Sequence, residues 1–225
     1  THEHAIDCLK IVPSLLTSLL RTSNAAAVLH RKLLILGGVK TTASLVNEIR
    51  KHRPELRIIN HYGPTETTIG ILTHEIGTVP PESMIPLGVP LDNNNVFIMD
   101  TKGRVLPEEM PGEIVISGLN VGRGYHRNEQ LTQTVFSADS ERTMSRTYRT
   151  GDLGRKNTDG TISFLGRIDR QVKIRGFRVE PEAVERTILR NPDIAQAVVL
   201  EQEGRLLAYV VLVESAKLGI AQVKQ

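Results

Sequence analysis

The sequence predicts an α/β fold: a stretch of parallel sheet, then a β-rich region, then a small α+β unit. Three observations carry the prediction. The apolar runs "KLLILGG" and "LRIINHYG" lack strict alternation and each follows a helical pattern, as parallel strands joined by crossover helices require. From about Ile85 to Arg167 short strand patterns alternate with Gly, Pro, Asn and Asp, the signature of an antiparallel or barrel-like region. After "GRIDRQ" the pattern becomes strand, helix and two strands.

The elements follow in order. A helix is expected from Pro13 to Arg21, and a second has Leu45, Val46 and Ile49 on one face. Strands separated by such helices are expected to be covered on both sides. In "NHYGPTET", residues 60–67, Gly63 and Pro64 end the strand, because Pro64 has no N–H for a ladder. Four side chains follow, Thr65, Glu66, Thr67 and Thr68, where a parallel sheet presents its strand ends to ligands. They read equally as a hydroxyl-rich turn with Glu66 at a helix start. Further strands are expected in "NNVFIMD", "TKGRVLP", "GEIVISG" and "TISFLG". "GLNVGRGY", residues 118–125, lacks the Lys-Ser or Lys-Thr of a phosphate loop and reads as a tight turn. "YRTGDLGR", residues 148–155, reads as a Thr-Gly turn followed by Asp152, a carboxylate that either accepts two bonds from a ribose diol or caps the turn. Beyond a boundary near Asp169, "QVKIRG" forms a short strand, "PEAVERTILRN" a helix opened by Pro181, and "AQAVVLEQEGRLLAYVVLVE" a hairpin turned at Glu203-Gly204.

Composition narrows the function. At 225 residues the chain suits one domain plus part of another. The net charge is only +3, no Lys/Arg run exceeds two residues, and aromatics make up 4%, so a nucleic-acid partner is not expected. No apolar stretch approaches the ~18 residues of a membrane span. Cys8 is the single cysteine; it excludes an internal disulfide, suits a reducing cytoplasmic setting, and reads as a small core residue. The histidines are scattered, with His2 and His4 flanking Glu3 as the only close pair, so a zinc site is not expected. No GxSxG elbow supports a serine hydrolase. The chain begins at Thr1 and breaks off soon after a strand pattern, as expected of a piece of something longer.

Four stretches stand in a fixed order: "NHYGPTETT" at 60–68, "GEIVISGLNVGRGY" at 112–125, "YRTGDLGR" at 148–155 and "GRIDRQVKIRGFRVEPEAVE" at 166–185. Together they resemble the adenylation domains of nonribosomal peptide synthetases, within the superfamily of adenylate-forming ligases; four ordered blocks over about 125 residues are far more specific than one. The resemblance implies the C-terminal part of a large core, parallel sheet plus β-barrel, over residues 1–168, and part of a C-terminal α+β subdomain over 169–225. It implies attack of an amino-acid carboxylate on the α-phosphate of ATP and transfer of the aminoacyl group to a carrier protein's phosphopantetheine thiol, with neighbouring synthetase modules as partners. Thr65 and Glu66 would be catalytic, Glu66 holding Mg²⁺ and Thr65 and Thr67 bonding phosphate or adenylate oxygens. Tyr62 would offer its ring face to adenine, Asn60 a polar edge to the purine, and Asp152 would take the ribose hydroxyls with Arg167 nearby. Asp169 would be the hinge of the small subdomain, and Arg175 and Gly176 would lie in the loop facing the thiol channel. The phosphate loop and the amine-binding aspartate of the family would lie upstream of Thr1, and its catalytic lysine beyond Gln225, so this polypeptide alone is not expected to catalyse adenylation.

By the same resemblance the amino-acid pocket includes Lys10, Ile35, Gly37, His61, Ile69 and Gly70. A lysine and a histidine in otherwise small, apolar surroundings are costly unless the ligand brings negative charge. The combination also resembles the family's pattern for aspartate. L-Aspartate is the expected substrate, with β-substituted aspartate or asparagine next. An acyl- or aryl-activating ligase with a coenzyme A acceptor, and a non-catalytic nucleotide-binding fragment, remain as alternatives.

Overall fold

The computed structural model describes residues 6–22, 28–29, 32–139, 145–174, 176–214 and 216. The chain divides into two compact units, Thr1–Asp169 and Arg170–Gln225. The first opens with β1 (Cys8–Ile11), α1 (Pro13–Leu20), β2 (Leu33–Gly37), α2 (Ala43–His52) and β3 (Arg57–Tyr62). Proline at its first turn starts α1. The Thr42 hydroxyl accepts the Leu45 N–H to cap α2, and Arg50, Lys51 and His52 sit in its last turn, where cations suit the helix dipole. The three strands pair in parallel, and β4 (Leu72–Glu75) and β5 (Val89–Pro90) continue the sheet antiparallel in the order β1-β2-β3-β4-β5.

Leu16 and Leu20 of α1, Leu45, Val46 and Ile49 of α2, and Leu34, Leu36 and Ile58 of the sheet form one buried cluster. Both helices therefore pack on the same face. Strands laid down in one direction with crossovers of one hand put consecutive helices on one side. The expectation of a sheet covered on both sides is thus not met among the described residues: on the other face Cys8 and Lys10 are exposed and Ile35, Ile59 and His61 half-buried. Cys8, expected in the core, is exposed because it begins an edge strand on that open face.

The second sheet comprises β6 (Asn94–Met99), β7 (Gly112–Gly118), β9 (Ser145–Lys156) and β10 (Ile162–Arg167), paired antiparallel in the order β10-β9-β7-β6. A helix, α3 (Glu129–Val135), leads into β8 (Phe136–Asp139), which pairs with β9. Every residue of β7 is buried, and Ile114, Ile116, Phe136, Tyr148 and Ile162 share a core with Ile71 and with Leu72 at the start of β4. Two expectations change. "TKGRVLP" contributes only a Met99–Val105 bridge, because Asp100 binds the amides of Lys102 and Arg104 and folds the segment into a turn. "YRTGDLGR" is no loop turn but the middle of β9, bent by a bulge at Thr150–Asp152.

The second unit, described by itself, contains the β11 (Val172–Ile174) and β12 (Phe177–Val179) pair, α4 (Pro181–Ile188), and the hairpin β13 (Ile194–Gln202) and β14 (Arg205–Leu212). Glu203 and Gly204 turn the hairpin with φ of 51° and 74°, the positive angles that a two-residue turn needs to match strand twist. Arg170 donates to Glu185 of α4 at 2.8 Å and to the Val199 carbonyl at 2.9 Å, while Glu185 accepts the Val199 N–H at 2.7 Å. Among the described residues no helix is long and apolar enough to cross a membrane.

Candidate active site

The site is built around the end of β3. Past Tyr62, Pro64 ends the ladder and Thr65–Thr67 make one 3-10 turn. The loop is drawn tight: the Ile71 N–H donates to Tyr62 O at 2.7 Å, and a Cβ on Gly63 would lie 2.4 Å from Ile69 O. Thr68 and Ile69 have φ of 61° and 77°, and Gly70 N–H donates to Thr68 O at 3.0 Å, closing a γ-turn on Ile69. Positive φ at a β-branched residue costs on the order of 1–3 kcal/mol. Nothing in the residue pattern signals this strain.

On one side of the loop, the Tyr62 hydroxyl donates to Asp152, and Arg167 Nη1 donates to the other Asp152 oxygen at 2.7 Å and to Thr150 O at 3.0 Å. Arg167 also forks onto Asp169 at 2.8 and 2.5 Å. The side chains of Arg167 and Asp152 are 17% and 8% exposed. Burial and the neighbouring Asp152 charge push the Tyr62 hydroxyl well above its ordinary range, so it stays a donor. Burial works against the Arg167 charge, but the two carboxylates outweigh it and hold the guanidinium protonated. An ionised carboxylate has about four acceptor positions, so Asp152 keeps acceptor capacity beyond these two bonds.

On the other side, "GLNVGRGY", expected only as a turn, clasps the Glu66 loop. Gly122 N–H donates to Glu66 O at 2.8 Å, the Thr68 hydroxyl to Asn120 O at 2.9 Å, and the Tyr125 hydroxyl to Glu66 Oε1 at 2.7 Å. Arg146 in turn donates to the carbonyls of Gly122 and Arg123 at 3.1 and 2.7 Å. Tyr125 meets Phe136 edge-on at 5.5 Å, and burial, then the bond to Glu66, raise its hydroxyl pKa. Sequence reasoning missed Asn120, Gly122, Tyr125 and Arg146; the one available signal was an aromatic directly after Gly-Arg-Gly. Among the described residues no group of three or more His, Cys, Asp and Glu could cage a metal. A partly exposed carboxylate such as Glu66 fits Mg²⁺ shared with phosphates, since that ion is commonly held by one or two carboxylates plus substrate oxygens.

The expected pocket residues come from three adjacent strands and the strained turn. Lys10 pairs with Ile35 and Gly37 with His61, and strand alternation puts all four on the open face. A Cβ on Gly70 would fall 1.8 Å from the His61 ring, so the imidazole lies flush against that glycine. Ile69 is 61% exposed. Burial, then the charge of Lys10, lower the His61 pKa, so unliganded His61 is neutral near pH 7 and the pair does not present two standing cations. Lys10 is exposed, not buried.

Two expected contacts are placed elsewhere. Asn60, 5% exposed, accepts from Thr41 at 3.0 Å and donates to Pro86 O at 2.7 Å, because β3 alternation turns it toward the helix-covered face. Thr67 is fully buried and donates its hydroxyl to Pro64 O at 3.1 Å, bracing the turn. Thr65 is exposed on the loop. Gly176 lies exposed at φ 88° between β11 and β12, and Arg175 lies outside the described residues.

With this geometry established, the family profile described as AMP-binding enzyme matches residues 1–126. The chain belongs to the AMP-binding enzyme family. It is 43% identical over 159 residues to bacitracin synthase 2 of Bacillus licheniformis, covering 68% of this chain and 6% of that one. It is 40% identical over 196 residues to surfactin synthase subunit 1 of Bacillus subtilis (strain 168), covering 81% and 5%. The solved structure of holo-PA1221, a nonribosomal peptide synthetase protein containing adenylation and PCP domains, is similar at a TM-score of 0.84 and 28% identity, covering 96% of this chain and 39% of that one. The fold is that of part of an adenylation domain, and the chain spans a small fraction of the curated relatives' length.

Proposed function

We propose that the chain is the C-terminal part of an amino-acid-activating adenylation core, residues 1–168, with the start of its mobile subdomain, 169–225, in a nonribosomal peptide synthetase. The observation that supports this best is the convergence at the end of β3: Tyr62 is bonded to Asp152, 90 positions away, while Glu66, a few residues on, is bonded to Tyr125. In this reading Asp152 accepts the ribose diol of ATP, the Tyr62 ring lies beside adenine, and Thr65 bonds phosphate oxygens. Glu66 would hold Mg²⁺, which when bound neutralises triphosphate charge. Ile35, Gly37, Ile69 and Gly70 shape the amino-acid pocket, and Lys10 and His61 meet an acidic side chain. The substrate carboxylate forms a bond to the α-phosphorus as the bond to pyrophosphate breaks. The phosphopantetheine thiol of a carrier domain, losing its proton, then forms a bond to the aminoacyl carbonyl carbon as the bond to AMP breaks and AMP leaves, with Asp169 as hinge and the Arg175–Gly176 loop at the thiol channel. A cytoplasmic setting belongs to the same proposal.

L-Aspartate is the proposed substrate. His61 is neutral when unliganded, so a ligand carboxylate acts by inducing charge: it draws a proton onto His61 and pairs with Lys10. The test is amino-acid-dependent ATP–pyrophosphate exchange by the intact protein that carries this chain. Aspartate is expected to support exchange best, and leucine or phenylalanine outcompeting it would refute the assignment. ATP binding without exchange for any amino acid would favour a non-catalytic nucleotide-binding role.

A further inference from the structure

The geometry points to Glu113 as a positioning residue for the ribose-binding carboxylate. It rests on the proposed reading of Asp152 and adds a residue to which that reading gives no role. Pairing of β7 with β9 runs Glu113 to Leu153 and then Val115 to Arg149, so Thr150, Gly151 and Asp152 all stand opposite Ile114. The ladder cannot satisfy the backbone groups of a bulge this wide, and buried groups left unpaired are costly. Four of these groups have partners outside the β7 ladder. Asp152 N–H donates to the Thr150 hydroxyl at 2.9 Å, which itself donates to Ile114 O at 2.8 Å. Thr150 O accepts from Arg167 and Gly151 O from Ile168 N–H at 2.9 Å. The Gly151 N–H donates to Glu113 Oε1 at 3.0 Å, and the second Glu113 oxygen is paired with Arg149.

Glu113 is 9% exposed, so its carboxylate is fixed from two sides. Gly151 has φ +70°, and a Cβ there would lie 2.7 Å from Arg167 Nη2, so the bulge cannot move without disturbing the guanidinium on Asp152. Glu113 thus grips the apex of the bend that points Asp152 toward Tyr62 and away from regular pairing. Without that grip the bulge loosens and the carboxylate loses its fixed direction, while Arg167 and Tyr62 keep it in the neighbourhood. The consequence is specific to the part of the nucleotide that Asp152 reads: affinity for the ribose hydroxyls falls, and affinity for base and phosphates is spared.

The test compares Kd for ATP and 2′-deoxy-ATP by calorimetry on the intact protein, with Tm recorded for each variant. The wild type is expected to favour ATP by about 10- to 100-fold, the worth of a hydrogen bond to a charged group, and Asp152→Ala to erase that preference. Glu113→Ala and Glu113→Asp, which withdraw the acceptor from Gly151, are expected to lower the ratio at least threefold, mainly by weakening ATP. Glu113→Gln, made together with Arg149→Met so that its amide NH₂ faces no donor, keeps an oxygen at the right reach and is expected to retain it. Should Glu113→Ala fail to fold, the Asp and Gln pair decides. A ratio unchanged in the folded variants, or one preserved by Asp and lost with Gln, overturns the inference while leaving the ribose role of Asp152 standing. A wild type indifferent to the 2′-hydroxyl overturns both.

Discussion

His61 titrates under two influences that the charge of an acidic ligand would oppose. Burial, then Lys10, depress its pKa, and a bound carboxylate raises it, so binding takes up a proton. The sign follows: affinity for aspartate is expected to increase as pH falls from about 8 to below the ordinary histidine value of about 6.5, levelling off under the unliganded pKa. Leucine should show no such slope; a flat aspartate KM across this range in pyrophosphate exchange would remove His61 from recognition. Gly70→Ala places a Cβ against the far edge of the His61 ring, which can swing away, so a small change in Tm with a large change in amino-acid preference is expected. Arg167→Met strands the buried Asp152 charge with Tyr62 and is expected to destabilise by about 3–5 kcal/mol, the cost of breaking a buried pair, read as a shifted urea midpoint. Lys10, Ile35, Gly37 and His61 were legible as residues in the sequence, but their shared face is a matter of register, and the depressed His61 pKa depends on packing that no spacing encodes.

At the scale of elements, the loop of residues 118–125 acts as a brace whose importance the sequence concealed. Its bond from Tyr125 to Glu66 spans 59 positions, and local pattern carries no information on contacts at that range. Tyr125→Phe keeps the edge-on contact with Phe136 and deletes the bond, with an expected stability loss of about 0.5–1.5 kcal/mol and a higher Mg²⁺ concentration for half-maximal exchange. An unchanged Mg²⁺ dependence would confine Tyr125 to a structural role. The two helices flanking β2 and the Glu203-Gly204 hairpin were readable because capping, periodicity and turn chemistry are local. β9 was not: Thr150-Gly151 reads as a turn, whereas Gly151 supplies the positive φ of a bulge inside the strand. The helix α3 was also missed, since none of its residues is buried and its apolar pattern is correspondingly faint.

At the scale of the whole molecule, two compact units lead to an unfolding transition that is not two-state; calorimetric and van't Hoff enthalpies are expected to disagree. In the second unit, β13 and β14 pair Val198 with Tyr209 and Leu200 with Leu207. These four side chains and Val211 are exposed, and alternation sets them on one face. Exposed apolar strand faces promote association, so Val198→Thr with Tyr209→Thr is expected to lower light scattering at equal protein concentration. The open face of the first sheet carries a different kind of consequence. The proposed pocket positions Lys10, Ile35, Gly37 and His61 are separated along the chain yet adjacent across β1, β2 and β3, with the His61 ring against Gly70 and the His61 backbone against Gly37. On the proposed reading, selectivity is heritable as a cassette: transplanting single positions into a related scaffold should yield mismatched hybrids, while grafting the continuous stretch from Lys10 through Gly70 should carry preference intact.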